Sequence, residues 1–126
     1  DSLDTIVATN LHADILSDLA AALSGSIGVA PTANLNPERD TPSMFEPIHG
    51  SAFDITGKGV ANPVATFWTA AMMLDHLGER LAADRLMRAV EAVTANPDLH
   101  TPDLGGNATT RMVTNAVIEA LRGRNE

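Results

Sequence analysis

Thr5-Ile-Val-Ala-Thr9 runs without a break into Asn10-Leu-His-Ala-Asp-Ile-Leu-Ser-Asp18, and this junction decides the fold class. Residues 5–9 are a short β-branched run, the composition of a buried strand. Asn10 then offers an N-cap, and Leu11, Ile15, Leu16, Leu19 and Leu23 recur at the spacing of one helix face. Ser24-Gly25 stops that helix. A strand feeding directly into a helix is half of a βαβ unit, so the expected class is α/β. Taken alone, one clear strand with four helices is also compatible with a bundle. A buried strand needs neighbours, however, and only Asp1 to Asp4 precede this one. The sequence therefore reads as a portion of a larger α/β protein.

Downstream, residues 28–61 are rich in Pro, Gly, Asn and Asp and hold no sustained period. Loops longer than about 12–15 residues are uncommon in compact domains unless they bind something or are disordered. Phe45, Ile48, Phe53, Ile55 and Val60 argue against disorder, which leaves a structured binding loop. Asn62-Pro63 opens a helix as cap and first-turn proline, with Val64, Phe67, Trp68, Ala71, Met72 and Leu77 on its apolar face and Gly78 at its end. A second helix is expected over Glu79–Ala95, with Leu81, Leu86, Val90 and Val93 inward. Asn96-Pro97 breaks the chain, and a glycine-containing turn follows over Pro102–Asn107. Thr109 or Thr110 caps a last helix striped by Val113, Ala116, Val117, Ala120 and Leu121. No internal repeat is present.

The 126 residues suffice for one modest domain, and with 44% hydrophobic but only 3% aromatic residues its core must be aliphatic. No apolar run approaches the ~20 residues of a membrane span, and Asp1, Ser2, Leu3 and Asp4 lack a signal peptide's pattern. The chain has no cysteine, so neither a disulfide framework nor thiolate chemistry is available. A cytoplasmic setting is expected. The net charge of −8 argues against nucleic acid and anionic membrane as partners, because an acidic chain releases no counterions from either. It suits a soluble enzyme or a collector of divalent cations.

Asp14 and Asp18 stand four residues apart on the first helix, so their carboxylates share a face. That pair is either a solvated helix face or part of a site for Mg²⁺ or Mn²⁺, which take carboxylate oxygens. His12, in the same turn, is given no role. A denser signal lies in Glu46-Pro-Ile-His-Gly-Ser-Ala-Phe-Asp54. Gly50 and Ser51 let backbone approach phosphate or ribose, and His49 can stack on or hydrogen-bond to a planar ring. Asp54 can accept both hydroxyls of a ribose and repel a 2′-phosphate. Asn62 can pair with the donor–acceptor edge of adenine. The competing reading is a rigid glycine-rich turn capped by Asp54. Gly57-Lys58-Gly59 is not a P-loop, and no G-x-G-x-x-G follows the strand.

Four motifs taken in order resemble the β-decarboxylating dehydrogenases, the isocitrate/isopropylmalate dehydrogenase family. They are Asn10–Asp18, Phe45–Asp54, Gly57-Lys-Gly-Val-Ala-Asn-Pro63 and Thr101-Pro-Asp-Leu-Gly-Gly106. Pro31–Glu38, Pro42–Phe45 and Ala65–Trp68 look most like the branch acting on tartrate or D-malate. The resemblance covers essentially the whole chain and implies the C-terminal portion of a two-domain isopropylmalate dehydrogenase-like fold. Residues 1–25 would end the central domain, which holds the dimer contact and metal site. Residues 26–126 would form the C-terminal half of the larger, cofactor-binding domain.

The resemblance also implies roles. Asp14 and Asp18 would be metal-site aspartates, and Glu46, His49, Gly50, Ser51, Ala52, Asp54 and Asn62 would hold the adenosine half of NAD. NADP-using isocitrate dehydrogenases place Lys-Tyr where this chain has Asp54-Ile55, which also points to NAD. Phe53 stands where many members have proline. The implied chemistry is oxidation of a small 2-hydroxy acid to a 2-oxo acid, with loss of the β-carboxylate as CO₂. The family's substrate arginines, its proton-transfer lysine and tyrosine, and a third metal aspartate from the partner subunit all lie upstream in its order. The expected partners are a 2-hydroxy dicarboxylic acid and either a second copy or a complementing upstream portion. A non-catalytic nucleotide-binding module and a portion of 3-isopropylmalate dehydrogenase are the alternatives.

Overall fold

Three amphipathic helices account for the core, each presenting small β-branched or alanine side chains to the other two. The computed structural model describes residues 4–123, so Asp1, Ser2 and Leu3 lie outside the described residues. The order is α1 (Asn10–Leu23), β1 (Pro31–Asn34), β2 (Met44–Pro47), α2 (Val64–His76), α3 (Arg80–Thr94) and α4 (Thr110–Arg122). Short 3₁₀ turns lie at Ile27–Val29, Phe53–Ile55, Pro97–Leu99 and Pro102–Leu104.

Val64 of α2, Ala89, Val90 and Val93 of α3, and Val113 and Val117 of α4 form one buried cluster with Ala108. Leu86, Ala116, Ala120 and Leu121 pack on its edge, as their spacing predicts. Leu81 does not: it is 81% exposed, because five residues before Leu86 it falls on a different face of α3 from Leu86, Val90 and Val93. The α2–α3 corner closes by the hydrogen-bond pair of a left-handed cap. Gly78 takes φ +90°, its N–H donates to Asp75 O (3.0 Å), and Glu79 N–H donates to Leu74 O (2.9 Å). Thr109 caps α4 by accepting from Met112 N–H.

Residues 28–61 are ordered but not merely a loop. β1 and β2 pair antiparallel, with Pro31 opposite Pro47, Thr32 opposite Glu46, Ala33 opposite Phe45 and Asn34 opposite Met44. Strands of four residues are too short to print a period of two, and prolines at their ends look like breakers; those positions are the ones a strand tolerates. At the tip, Asn36 Nδ2 donates to Asp40 Oδ1 (2.6 Å) and Thr41 Oγ1 (2.9 Å). Arg39, with φ 59°, donates from Nη2 to His76 O (2.8 Å) at the end of α2. The rings of Phe45 and His76 meet at 5.4 Å. The hairpin therefore lies along α2.

At the N-terminal side two expectations fail. Residues 5–9 form no strand and are exposed, Val7 at 97%, because no strand among the described residues lies beside them to pair their backbone groups. Thr9 rather than Asn10 precedes the first helical residue, its Oγ1 bonded to His12 Nδ1 at 2.7 Å. The helix itself forms as expected, yet its stripe of Leu11, Ile15, Leu16, Leu19 and Leu23 is exposed, and only Ala21 is buried.

Val117→Ala, at a fully buried position, is expected to lower the unfolding free energy by roughly 2 kcal/mol through lost transfer and a residual cavity. Leu81→Ala is expected to change it by less than about 0.5 kcal/mol. Urea denaturation of both variants checks the pair, and comparable losses would place Leu81 in the core after all.

Candidate functional site

The chain's distant segments are joined by one carboxylate. Asp103 Oδ2 accepts from Ser26 Oγ (2.5 Å) and from Asn62 Nδ2 (2.9 Å), while Oδ1 accepts from Thr101 Oγ1 (2.5 Å). Ser26, Asn62 and Thr101 are all buried. Ser26 Oγ also accepts from Gly28 N–H at 2.9 Å. A Cβ on Gly28 would come within 2.7 Å of Asp103 Oδ2, so this approach demands glycine. Gly106 is under the same demand, since a Cβ there would lie 2.0 Å from His100 O. Burial pushes the Asp103 carboxyl up, but the bonds from Ser26, Thr101, Asn62 and its own backbone outweigh burial and hold it below its ordinary value.

Asn62 is where that anchor meets the candidate cofactor loop. Its Oδ1 accepts from Val64 N–H (3.0 Å) and starts α2, while Nδ2 reaches Asp103. The donor–acceptor edge expected to face adenine is thus turned into the protein, and the residue serves to fix the end of the loop. Thr110, at the start of α4, adds two ties: its N–H donates to Gly59 O (2.9 Å) and its Oγ1 to Ala61 O (2.5 Å). At the other end, Glu46 lies on the exposed face of β2, and Ile48 N–H donates to Ala30 O (3.1 Å). Between these ends Gly50, Ser51, Ala52 and Asp54 are all exposed and His49 is half-buried, its Nδ1 3.1 Å from Gly50 O.

The loop's interior is shaped by Ala52, which takes the left-handed conformation (φ 43°) and leads into the Phe53–Ile55 turn. No side chain caps that turn, so the reading of Asp54 as a turn cap is set aside. Its carboxylate has no partner among the described residues and is exposed. At Gly50 an added Cβ would meet nothing within 4 Å, so the chain's own packing does not require glycine there. A free carboxylate beside an open stretch of backbone is an acceptor of the kind that two ribose hydroxyls can donate to. Asp14 and Asp18 are exposed on α1, and neither carboxylate has a partner among the described residues. Among those residues no group of three ligating side chains gathers. By type, two unpartnered carboxylates are part of the oxygen set that a hard divalent cation takes. Two cavities lie elsewhere: one of about 440 Å³ between α2 and α3, lined by Val64, Trp68, Met87 and Val90, and one of about 340 Å³ at the hairpin tip.

The family model for isocitrate/isopropylmalate dehydrogenase matches residues 1–121. The chain belongs to that family. It is 75% identical over 124 residues to a probable tartrate dehydrogenase/decarboxylase of Agrobacterium vitis, which covers 98% of this chain and 34% of the relative. It is 56% identical over 122 residues to an isocitrate/homoisocitrate dehydrogenase of Thermus thermophilus, covering 97% and 35%. The crystal structure of isocitrate dehydrogenase from Methylococcus capsulatus superposes with a TM-score of 0.84 at 45% identity, over 90% of this chain and 33% of that one. The chain thus spans about a third of the length of the relatives it matches, in keeping with a C-terminal portion of the family's α/β fold. These relatives are dehydrogenases, so the chain's kin are oxidoreductases. No helix among the described residues is long and apolar enough to cross a membrane.

Sequence reasoning missed Asp103. The motif Thr101–Gly106 carries the family resemblance, but nothing in its spacing tells that its aspartate will meet Ser26 and Asn62. Asp103→Asn is expected to destabilise the protein by roughly 1–2 kcal/mol, discounted for the residue's exposed edge. Because the folded-state value is depressed, this stabilisation is present above the unfolded value near 4 and lost as pH falls through the folded one. Urea midpoints should therefore differ by a constant amount from pH 5 to 8 and converge below about pH 4. A gap that widens on acidification would contradict the assignment.

Proposed function

We propose that this chain supplies the cofactor loop and two metal aspartates of an NAD- and Mg²⁺- or Mn²⁺-dependent enzyme. That enzyme oxidises and decarboxylates a small 2-hydroxy acid such as tartrate or D-malate. The observation that carries the reading is the 75% identity to a probable tartrate dehydrogenase/decarboxylase across nearly the whole chain. Residues 1–25 are assigned to the central, pairing domain and residues 26–126 to the cofactor domain. The uncovered apolar face of α1 favours a second copy of the protein as its cover.

In this reading the chain's residues bind and orient. Asp54 accepts the ribose hydroxyls and disfavours a 2′-phosphate by charge. Glu46, His49, Gly50, Ser51 and Ala52 line the adenosine half, and Asn62 fixes the loop's far end. Asp14 and Asp18 hold the cation from one helix face, where like charges at this spacing otherwise repel by a few tenths of a kcal/mol. When bound, NAD⁺ accepts the hydride and the cation acts as a Lewis acid toward the substrate's oxygens. The substrate would give its hydride to the nicotinamide and its hydroxyl proton to a base outside this chain to become the 2-oxo acid. Its β-carboxylate then leaves as CO₂, and the electron pair left behind takes up a proton at carbon. The remaining groups come from the two thirds of the family fold that this chain does not span.

Asp54→Ala is expected to weaken NAD binding about tenfold, the loss of charge-assisted hydrogen bonds, and Asp54→Lys to turn preference toward NADP. Calorimetric titration measures both, and unchanged NAD affinity in the two variants removes the loop as the site. Turnover of D-malate or tartrate is expected only when the rest of the family fold is supplied, in the same chain or in trans. Vigorous NAD reduction by the 126 residues alone would reject that division of labour.

A further inference from the structure

Phe53 is 85% exposed, in a chain that holds three Phe, one Trp and no Tyr. Beside it in sequence Ser51, Asp54, Thr56 and Lys58 are exposed and polar, while the apolar side chains are only the small Ala52 and the half-buried Ile55. A protein partner buries a broader apolar area with a polar rim. One exposed ring with so little apolar surface beside it in sequence matches a planar ligand of similar size. The ring's base is also held firmly. Ile55 N–H donates to Ala52 O (3.0 Å), Thr56 N–H to Phe53 O (3.3 Å) and Lys58 N–H to Ile55 O (3.1 Å). The left-handed Ala52 before it is a strained conformation for a residue with a side chain, kept in a turn that no side chain caps.

We propose that Phe53 is a stacking platform for the purine ring of the bound dinucleotide. The inference rests on the reading of residues 46–62 as the nucleotide loop. The purine is bonded directly to the ribose that Asp54 would hold, so a carboxylate fixing that sugar brings the base beside the adjacent residue. Stacking is indifferent to the phosphates and to the nicotinamide end, and this sets its signature apart from that of Asp54. Phe53 thereby adds affinity for the adenine half without taking part in the chemistry.

Calorimetry with NAD, ADP-ribose and nicotinamide mononucleotide on the wild type, Phe53→Ala, Phe53→Trp and Asp54→Ala tests this. Phe53→Ala should weaken NAD and ADP-ribose about tenfold, leave nicotinamide mononucleotide unchanged and leave the melting temperature within error. Phe53→Trp should restore or improve both adenine ligands. If Asp54→Ala weakens ADP-ribose while Phe53→Ala does not, the platform is rejected and the loop reading survives. Equal weakening of all three ligands by Phe53→Ala, or a lowered melting temperature, makes the residue a structural support and overturns the proposal. If neither variant alters ADP-ribose binding, or the wild type does not bind it, the loop reading and the platform fall together.

Discussion

The Asp103 carboxylate is the contact on which the rest of the arrangement depends. It gathers the chain just after α1 through Ser26, the end of the candidate loop through Asn62, and its own turn through Thr101. Each donor is buried, so each would leave an unmet polar group if the carboxylate were removed. The cost of bringing a charge there is met by the number of its donors, which is why the acid is held ionised. Gly28 is glycine because the carboxylate comes so close.

From that anchor the loop obtains its form. Asn62 starts α2 with one end of its amide and holds Asp103 with the other, while Thr110 ties down Gly59 and Ala61 from the start of α4. The β1–β2 hairpin fixes the opposite end against α2. Residues 50–54 are therefore presented outward by a frame that hydrogen bonds hold at both ends. Such a frame fixes the loop before any ligand arrives, which under the proposed function leaves little ordering for a ligand to impose.

Much of the helical scaffold was legible in the sequence. The stripe of α4, most of those of α2 and α3 (Trp68 and Leu77 of the α2 stripe are exposed), the glycine at the α2–α3 corner and the Thr109 cap follow from local periodicity and capping rules, which act within a few residues. Leu81 shows the rule at work against a residue type: it is apolar, but five residues before Leu86 it falls off the face of Leu86, Val90 and Val93 and is exposed. The hairpin was hidden because four-residue strands ending in proline carry almost no pattern. The strand expected at residues 5–9 was misread for the reverse reason, since a β-branched run becomes a strand only beside another one.

The candidate site divides along the same line. The sequence by itself determined the family, through four ordered motifs, and singled out Asp14, Asp18, His49 and Asp54 as the candidates for its chemistry. Residue type and short-range order are enough for that. Only the tertiary structure decided what those side chains face. It turned Asn62 inward, left Asp54 free instead of capping its turn, and exposed Phe53. It also made Asp103, 77 residues away from Ser26 in sequence, the anchor that joins Ser26, Asn62 and Thr101. Pairings of that separation depend on where whole helices come to rest, and no local rule reaches so far.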